Sequence, residues 1–565
     1  MRQALGKTAF LAAGWFLLAG TALAGGPDLI LYNGAIVTMD DSRPRASALA
    51  IAGDRISAVG DDETVRALKT DATRLVDLEG RTVIPGLVDT HIHAIRGGQT
   101  YKFETYWYDM ASLEEALDRL AQAARARPRD AWVAVGGSWI PEQFDEKRPP
   151  AVEELDRAVP DHPAYVQYLY DYALLNTKGM ERLKLDSPEP AVPPGIKVER
   201  DEKGVATGKL YGHIGAFNAL FAAIDRTGEE AKTASLVAFF ERLNQVGVTG
   251  LVDPSAGPAE AYEPVFALQR QGKLTLRVGY RIPALQPGNE AAWFTDVMAF
   301  RPAVQPEGMV NFLGMGENLV FGMNDGVLMG SGFNPPQASR LELARVATFA
   351  AKRKIPLEIH AYTDDAASAI LDVFEVVDQT YPLKGLRWAM AHLNTGSLRT
   401  LDRMKRLDIA FSVQMGPYFE GPSILRANSR KIVEMSPPTR QALDRGIMVA
   451  GGTDSTRIGV FGVWQAMEYH VTGRSLGNAI QKPEDQLLTR EEALRLYTKN
   501  AAWISFAEES RGTLAEGKLA DLAVLDRSYL TIPAEEIDRI RSVLTIVNGN
   551  VVHDQPCPGC GVSGG

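Results

Sequence analysis

Two rhythms of apolar residues run through the chain. Short runs bounded by turn-forming residues read as buried strands, and stretches with apolar positions three and four apart read as helices. Eight runs of five to seven residues fall in the middle of the sequence: Val83–Asp89, Gly247–Val252, Leu276–Ile282, Val310–Gly316, Ile355–Ile359, Leu386–Ala391, Ile409–Val413 and Ile447–Gly452. Helical patterns at Ala234–Val246, Arg340–Arg353 and Thr363–Val377 lie between them, and another starts at Ser436, with Pro437 at its first helical position, and ends at Asp444. Eight strands alternating with helices predict an α/β fold, a (β/α)8 barrel of the TIM type, over residues 83–509. The spacing is uneven. About 150 residues, Ala94 to Gln245, separate the first strand from the second, with strand-like runs of their own at Trp132–Gly136 and Ala164–Tyr170. An insertion after a barrel strand lies on the face where such folds carry their chemistry.

The two ends of the chain have a different texture. Leu29–Tyr32 and Ala35–Thr38 flank Asn33-Gly34 and predict a hairpin. Ala48–Ile51 and Ile56–Gly60 form a second strand pair, and Ala520–Leu525 and Val543–Val552 are β-like. The simplest arrangement joins residues 25–82 and 510–556 into one small β-sandwich beside the barrel, with 557–565 as a flexible tail.

Composition narrows the class. With 565 residues, 45% of them hydrophobic, the chain can bury a large core. A net charge of −10 without a basic block argues against a nucleic-acid partner. Arg2 and Lys7, an apolar stretch from Phe10 to Leu18 and the small-x-small site Ala22-Leu23-Ala24 read as a signal peptide over residues 1–24. Export to the periplasm or the exterior follows, with no stable membrane anchor after cleavage. The two cysteines, Cys557 and Cys560, suit a local disulfide in an oxidising compartment.

The chemistry gathers at the predicted strand ends. His91 and His93 close the first strand, spaced so that both rings face one point. Glu317 follows the fourth, His360 closes the fifth, His392 the sixth, and Asp454 follows the eighth in Gly452-Thr453-Asp454. Four of eight histidines and two acids at converging positions form a site for zinc or a similar divalent ion. A metal lowers the pKa of a water held on it and polarises a carbonyl. Asp454 is placed to take the proton of that water and pass it to a leaving nitrogen. With two ions Glu317 bridges them; with one it contacts substrate or supports the ligands.

On these residues the chain resembles the amidohydrolase superfamily from Asp28 to about Val552. The resemblance rests on Pro85–His93, the histidines of strands five and six, Gly452-Thr453-Asp454, and the return segment Gly512–Leu522. The long first insertion, His360–Ala366 and Thr489–Leu494 are similar to the branch that includes the N-substituted formamide deformylases. The resemblance implies metal-dependent hydrolysis of a C–N bond, with His91, His93, His360 and His392 as ligands and Asp454 as ligand and base. Two positions depart from it. Many binuclear relatives carry a carboxylated lysine where this chain has Glu317, and many members of the branch have a histidine where this chain reads Leu169–Asn176 around Asp171.

Around this centre Trp139, Asp171, His213 and Gln414 are candidate substrate contacts, and Asp364 is a candidate for orienting His360. His162, His470 and His553 fall outside the strand ends and read as structural. The expected activity is cleavage of an amide-like bond in a small molecule. The alternatives are a deaminase, an ester or lactone hydrolase at the same centre, or a non-catalytic barrel that binds or regulates. A homo-oligomer stays open.

Overall fold

The computed structural model describes residues 26–299, 302 and 304–555. The expected signal segment and the Cys557/Cys560 pair lie outside these residues. Eight parallel strands form the centre: β1 (Leu87–Asp89), β2 (Val248–Asp253), β3 (Arg277–Ile282), β4 (Val310–Met315), β5 (Glu358–Thr363), β6 (Ala389–Thr395), β7 (Ala410–Val413) and β8 (Val449–Gly451). They make two four-stranded sheets, β1-β2-β3-β4 and β5-β6-β7-β8, each in sequence order. A parallel bridge between Met315 and Leu357 links β4 to the approach of β5, and the Thr90 N–H donates to the Gly451 carbonyl at 3.0 Å, bringing β1 beside β8. The strands are buried almost throughout, as expected where helices cover a parallel sheet. Those helices include Gln337–Lys352, Asp364–Asp378 and Leu398–Leu407. The arrangement is α/β and TIM-barrel-like.

Several elements differ from the sequence expectation. The first apolar run splits. Thr82–Pro85 pairs with Leu522–Leu525, whereas Leu87–Asp89 joins β2, because Pro85 has no N–H with which to continue a ladder. Leu29–Tyr32 and Ala35–Val37 do not form a hairpin. The first pairs with Ala48–Ala52 and Arg74–Asp77, and the second crosses to Thr82–Pro85. That crossing lets Leu29, Leu31 and Ile36 enter one apolar layer, shared with Leu522, Val524 and Ile546 from the far end of the chain. The run at 543–552 is a hairpin of Ser542–Val547 and Asn550–Asp554. The helix expected from Ser436 begins at Thr439, after Pro438, and ends at Asp444. The insertion builds a five-stranded sheet that includes Val133–Val135 and Ala164–Tyr168, and returns to β2 through the helix Glu229–Asn244. No described helix is long and apolar enough to cross a membrane.

Candidate metal centre

His91 and His93 stand just beyond β1 rather than on it. His93 precedes the helix Ala94–Thr100, and its carbonyl accepts the Gly97 N–H at 2.9 Å. The same-face rule for a strand therefore does not orient the pair. The loop after β8 does. Gly452 packs so close that a Cβ there would sit 2.7 Å from the His91 backbone nitrogen, and the Asp454 N–H donates to the His91 carbonyl at 2.8 Å. Asp89 completes the clamp, accepting from the His91 N–H at 3.2 Å, the Thr453 N–H at 3.0 Å and the Thr453 hydroxyl at 2.6 Å.

The six expected residues come together. Glu317 Oε2 lies 3.1 Å from His392 Nε2, 3.2 Å from His360 Nδ1 and 3.6 Å from His91 Nε2, and its Oε1 is 3.4 Å from His93 Nε2. Asp454 Oδ1 is 3.3 Å from His93 Nε2 and 3.8 Å from His91 Nε2, and its Oδ2 is 3.7 Å from His392 Nδ1. Donor atoms of His91, His93 and Asp454 lie within 4.8 Å of one another, as do those of His91, Glu317 and His392. His360 and His392 are strand residues; His392 (φ 73°) and Asp454 (φ 54°) hold left-handed backbone, which costs about 1–3 kcal/mol each and persists only where the surroundings enforce it.

The electrostatics follow from this crowding. Burial disfavours charge on His91, Glu317, His360, His392 and Asp454. For His91 the carboxylates of Glu317, Glu358 and Asp454 outweigh burial and lift the imidazole to about 9; for His360, Asp325 and Glu317 lift it to about 10. Burial and the neighbouring His360 push His392 down. Burial would raise Glu317, but His91, His360, His392 and His93 hold it well below the carboxylate range, and His93, His392 and His91 likewise lower Asp454. The donor set fits a divalent cation. His91 Nε2 is buried without a hydrogen-bond partner, aimed between Glu317 and Asp454, while its Nδ1 is engaged by Glu358 at 2.5 Å. A cation there satisfies the lone pair and the concentrated negative charge together.

The supporting residues are not those expected. Asp364 faces away, accepting from Ser397 N–H at 2.7 Å and the Thr400 hydroxyl at 2.6 Å at the start of the next helix. Asp325 is the acid beside His360, 3.3 Å from its Nε2. Gln414 does not line the cavity: its Oε1 accepts the His392 N–H at 2.6 Å and its Nε2 donates to the Ser412 hydroxyl at 2.9 Å. Trp139 is insertion core, packed on Trp107 and donating to the Gln167 carbonyl at 2.7 Å. His213 caps the helix Ile214–Ile224, and Asp171 lies 3.9 Å from Arg426; neither lines the cavity. Their neighbours Ile214 and Tyr170 do. Three buried acids escaped the sequence reading. Asp89 precedes His91 by two residues and Glu358 precedes His360 by two, the same spacing that drew attention to His91 and His93, whereas Asp325 lies in a loop with no such signal.

The centre opens into a cavity of about 230 Å³. Comparison with known proteins agrees with this picture. Over 555 residues the chain is 26% identical to the N-substituted formamide deformylase of Arthrobacter pascens, covering 92% of this chain and 97% of the relative. It is 24% identical to the amidohydrolase YtcJ of Bacillus subtilis (strain 168), covering 93% and 99%. An uncharacterised metal-dependent hydrolase from Pyrococcus horikoshii has the same fold, with a TM-score of 0.63 at 23% identity over 90% of this chain and 99% of that one. The zinc complex of atrazine chlorohydrolase TrzN from Arthrobacter aurescens matches at a TM-score of 0.50 and 16% identity over 94% and 97%. Residues 74–553 match the amidohydrolase family, and the chain belongs to it: a hydrolase of carbon–nitrogen bonds other than peptide bonds.

Proposed function

We propose that this protein is an exported, metal-dependent amidohydrolase that cleaves an amide-like C–N bond in a small molecule. The observation that carries the reading is the meeting of four imidazoles and two carboxylates at 3.1–3.8 Å, with His91 Nε2 buried and unpaired among them. His91, His93, Glu317, His360, His392 and Asp454 would hold zinc or a similar divalent ion. Glu317, with one oxygen toward His93 and the other toward His360 and His392, suits a carboxylate shared between two ions. The likeness to a formamide deformylase over nearly the whole chain supports the C–N bond as the target. In the same reading the two four-stranded sheets close into one eight-stranded barrel, and the sheets of the chain ends form a β-sandwich beside it.

A bound divalent ion lowers the pKa of a water held on it and polarises the scissile carbonyl. The chain's own groups do the rest. Glu358 holds the His91 Nδ1 proton, so the Nε2 lone pair faces the centre. The Gly326 carbonyl at 2.8 Å and Asp325 at 3.3 Å together orient His360 through Nε2 and leave Nδ1 toward Glu317. Asp454, kept ionised by its histidines, accepts the proton of the attacking water as the C–O bond forms, then delivers it to the nitrogen as the C–N bond breaks.

The test is metal analysis of the mature protein, followed by a hydrolysis screen of N-acyl, N-formyl and cyclic amides after zinc loading. One or two ions per chain and a loss of about 10²–10⁴ in kcat for Asp454→Asn are expected. A protein that binds no divalent metal, or an Asp454→Asn variant with undiminished turnover, overturns the reading. Fractionation of expressing cells tests export: the chain belongs in the periplasm or medium, shortened by its first 24 residues.

A further inference from the structure

Resting on that hydrolase reading, we propose that the substrate carries a carboxylate and that Arg96 binds it. Two arginines line the cavity, and they differ in how they are satisfied. Arg457 is fully buried and meets both oxygens of Glu104 through one nitrogen, at 2.7 and 2.8 Å, with its guanidinium over the Phe221 ring at 4.2 Å. Its Nε is also buried without a hydrogen-bond partner, but its charge is already answered by Glu104. Arg96 has no such partner. Among the described residues its guanidinium makes no hydrogen bond and no ion pair, and its Nε is shut off from solvent with nothing to donate to. Asp253, the acid of the lining outside the histidine cluster, is already engaged by the Ile95 N–H at 3.0 Å, the Ser255 N–H at 3.1 Å and the Tyr262 hydroxyl at 3.1 Å.

A half-buried guanidinium with an orphaned donor, facing a cavity, calls for a planar anion that can take two parallel hydrogen bonds, which is the geometry of a carboxylate. Its position fits a small substrate. Arg96 lies in the first turn of the helix Ala94–Thr100, three residues after His93 at its N-cap, and both side chains line the same cavity of about 230 Å³. A carboxylate on Arg96 therefore sits within a few bonds of a carbonyl held at the histidine cluster. Tyr170, Ile214, Val327 and Ile458 form an apolar part of the remaining wall, beside the polar Ser255 and Asn324, and suit a short aliphatic group between the two polar ends. The substrate class is thus a small amide with a carboxylate close to the scissile bond, on either its amine or its acyl side.

The experiment compares acid and methyl ester of the same compounds, N-acetyl-DL-leucine for the amine side and succinamic acid for the acyl side, on zinc-loaded wild type, Arg96→Gln and Arg96→Lys. Dissociation constants are measured by calorimetry and kcat/KM by amine or ammonia release. Wild type is expected to favour at least one acid over its ester tenfold or more. In Arg96→Gln that ratio falls towards one, mainly through binding and KM, and Arg96→Lys recovers part of it. The ratio is insensitive to a general loss of folded protein, and the lysine variant keeps the charge if the glutamine variant folds poorly. Wild type without an acid preference for either pair, or an Arg96→Gln protein that keeps it, overturns the assignment. Acid-selective binding without turnover overturns the hydrolase reading instead and leaves Arg96 as the anion site.

Discussion

Replacing Glu358 with glutamine should separate metal binding from fold stability. Glu358 and His91 are both fully buried, and the His91 Nδ1–Glu358 Oε1 contact is 2.5 Å. Glutamine keeps the shape and can still accept from Nδ1–H through its amide oxygen, but the charge that favours a basic Nε2 lone pair is gone. Removing a group of this kind behind a histidine ligand lowers metal affinity about 10–100-fold, or roughly 1.4–2.7 kcal/mol. A second effect comes from the other side of the carboxylate. The guanidinium of Arg281 is also buried, with Nε 3.8 Å from Glu358 Oε2 and one terminal nitrogen donating to the Leu313 carbonyl at 2.6 Å. Breaking a buried pair costs about 3–5 kcal/mol, and this pair, long and with one other partner for the arginine, belongs at the low end. Chelator competition measures the first effect and denaturant unfolding of metal-free protein the second. Adding Arg281→Met to Glu358→Gln should restore much of the stability while leaving metal affinity low. A Glu358→Gln protein with wild-type metal affinity refutes the role assigned to Glu358.

Two further substitutions probe different parts of the chain. Gln414→Ala leaves the His392 N–H buried without its 2.6 Å acceptor, a loss of about 1–3 kcal/mol in unfolding free energy, and it loosens the left-handed backbone at His392, so metal affinity should fall as well. Unfolding curves and metal titration check both effects; a variant with wild-type values for each would show that Gln414 does not hold His392. Lys482 is buried beside His470 and Tyr469, its ammonium donating to the Pro437 carbonyl at 3.1 Å, and burial pushes it down from 10.5 to about 7. Between those values the unfolded chain holds a proton that the folded chain lacks, so this group makes stability rise with pH from 7 to 10.5, by on the order of 5 kcal/mol, with the full penalty in place below 7. Lys482→Met should therefore be the more stable protein at pH 7, with the difference shrinking as pH rises; parallel stability–pH curves for the two proteins would refute this.

Much of the architecture was legible because it depends on short-range pattern. Apolar runs mark all eight parallel strands, and histidines or acids near their ends mark the candidate metal centre. The misreadings share a cause: partner choice depends on distant residues. Leu29–Tyr32 and Ala35–Val37 have a good hairpin turn between them, yet each finds better burial against a different sheet, and nothing local says so. Trp139 and Gln414 were placed near the mouth by sequence position alone. Their side chains turn into the protein because an indole N–H and an amide must be paired when buried, and their partners, the Gln167 carbonyl and the His392 N–H, come from other segments. Asp364 follows the same logic, since a carboxylate beside an incoming helix is drawn to the donors at that helix's start rather than to a histidine on the preceding strand.

The insertion does more than wall the cavity. Asp454 lies in a loop, residues 452–459, whose inner side is fixed by Asp89 and the His91 backbone. Its outer side is fixed by the insertion. The Ser138 N–H donates to the Arg457 carbonyl at 2.9 Å, the Ser138 hydroxyl donates to the Gly459 carbonyl at 2.7 Å, and Glu104 holds the Arg457 guanidinium. Gly137 (φ 132°) allows this approach, since a Cβ there would lie 2.2 Å from the Arg457 oxygen. A left-handed aspartate on a solvated loop would relax; this one is held between two surfaces that belong to different parts of the chain. The segment that shapes the substrate end of the cavity thereby also positions the proposed base. Sequence change in the insertion is then constrained in two unequal ways. Tyr170 and Ile214 are free to vary with the substrate, whereas Glu104, Gly137 and Ser138 are tied to the geometry of Asp454.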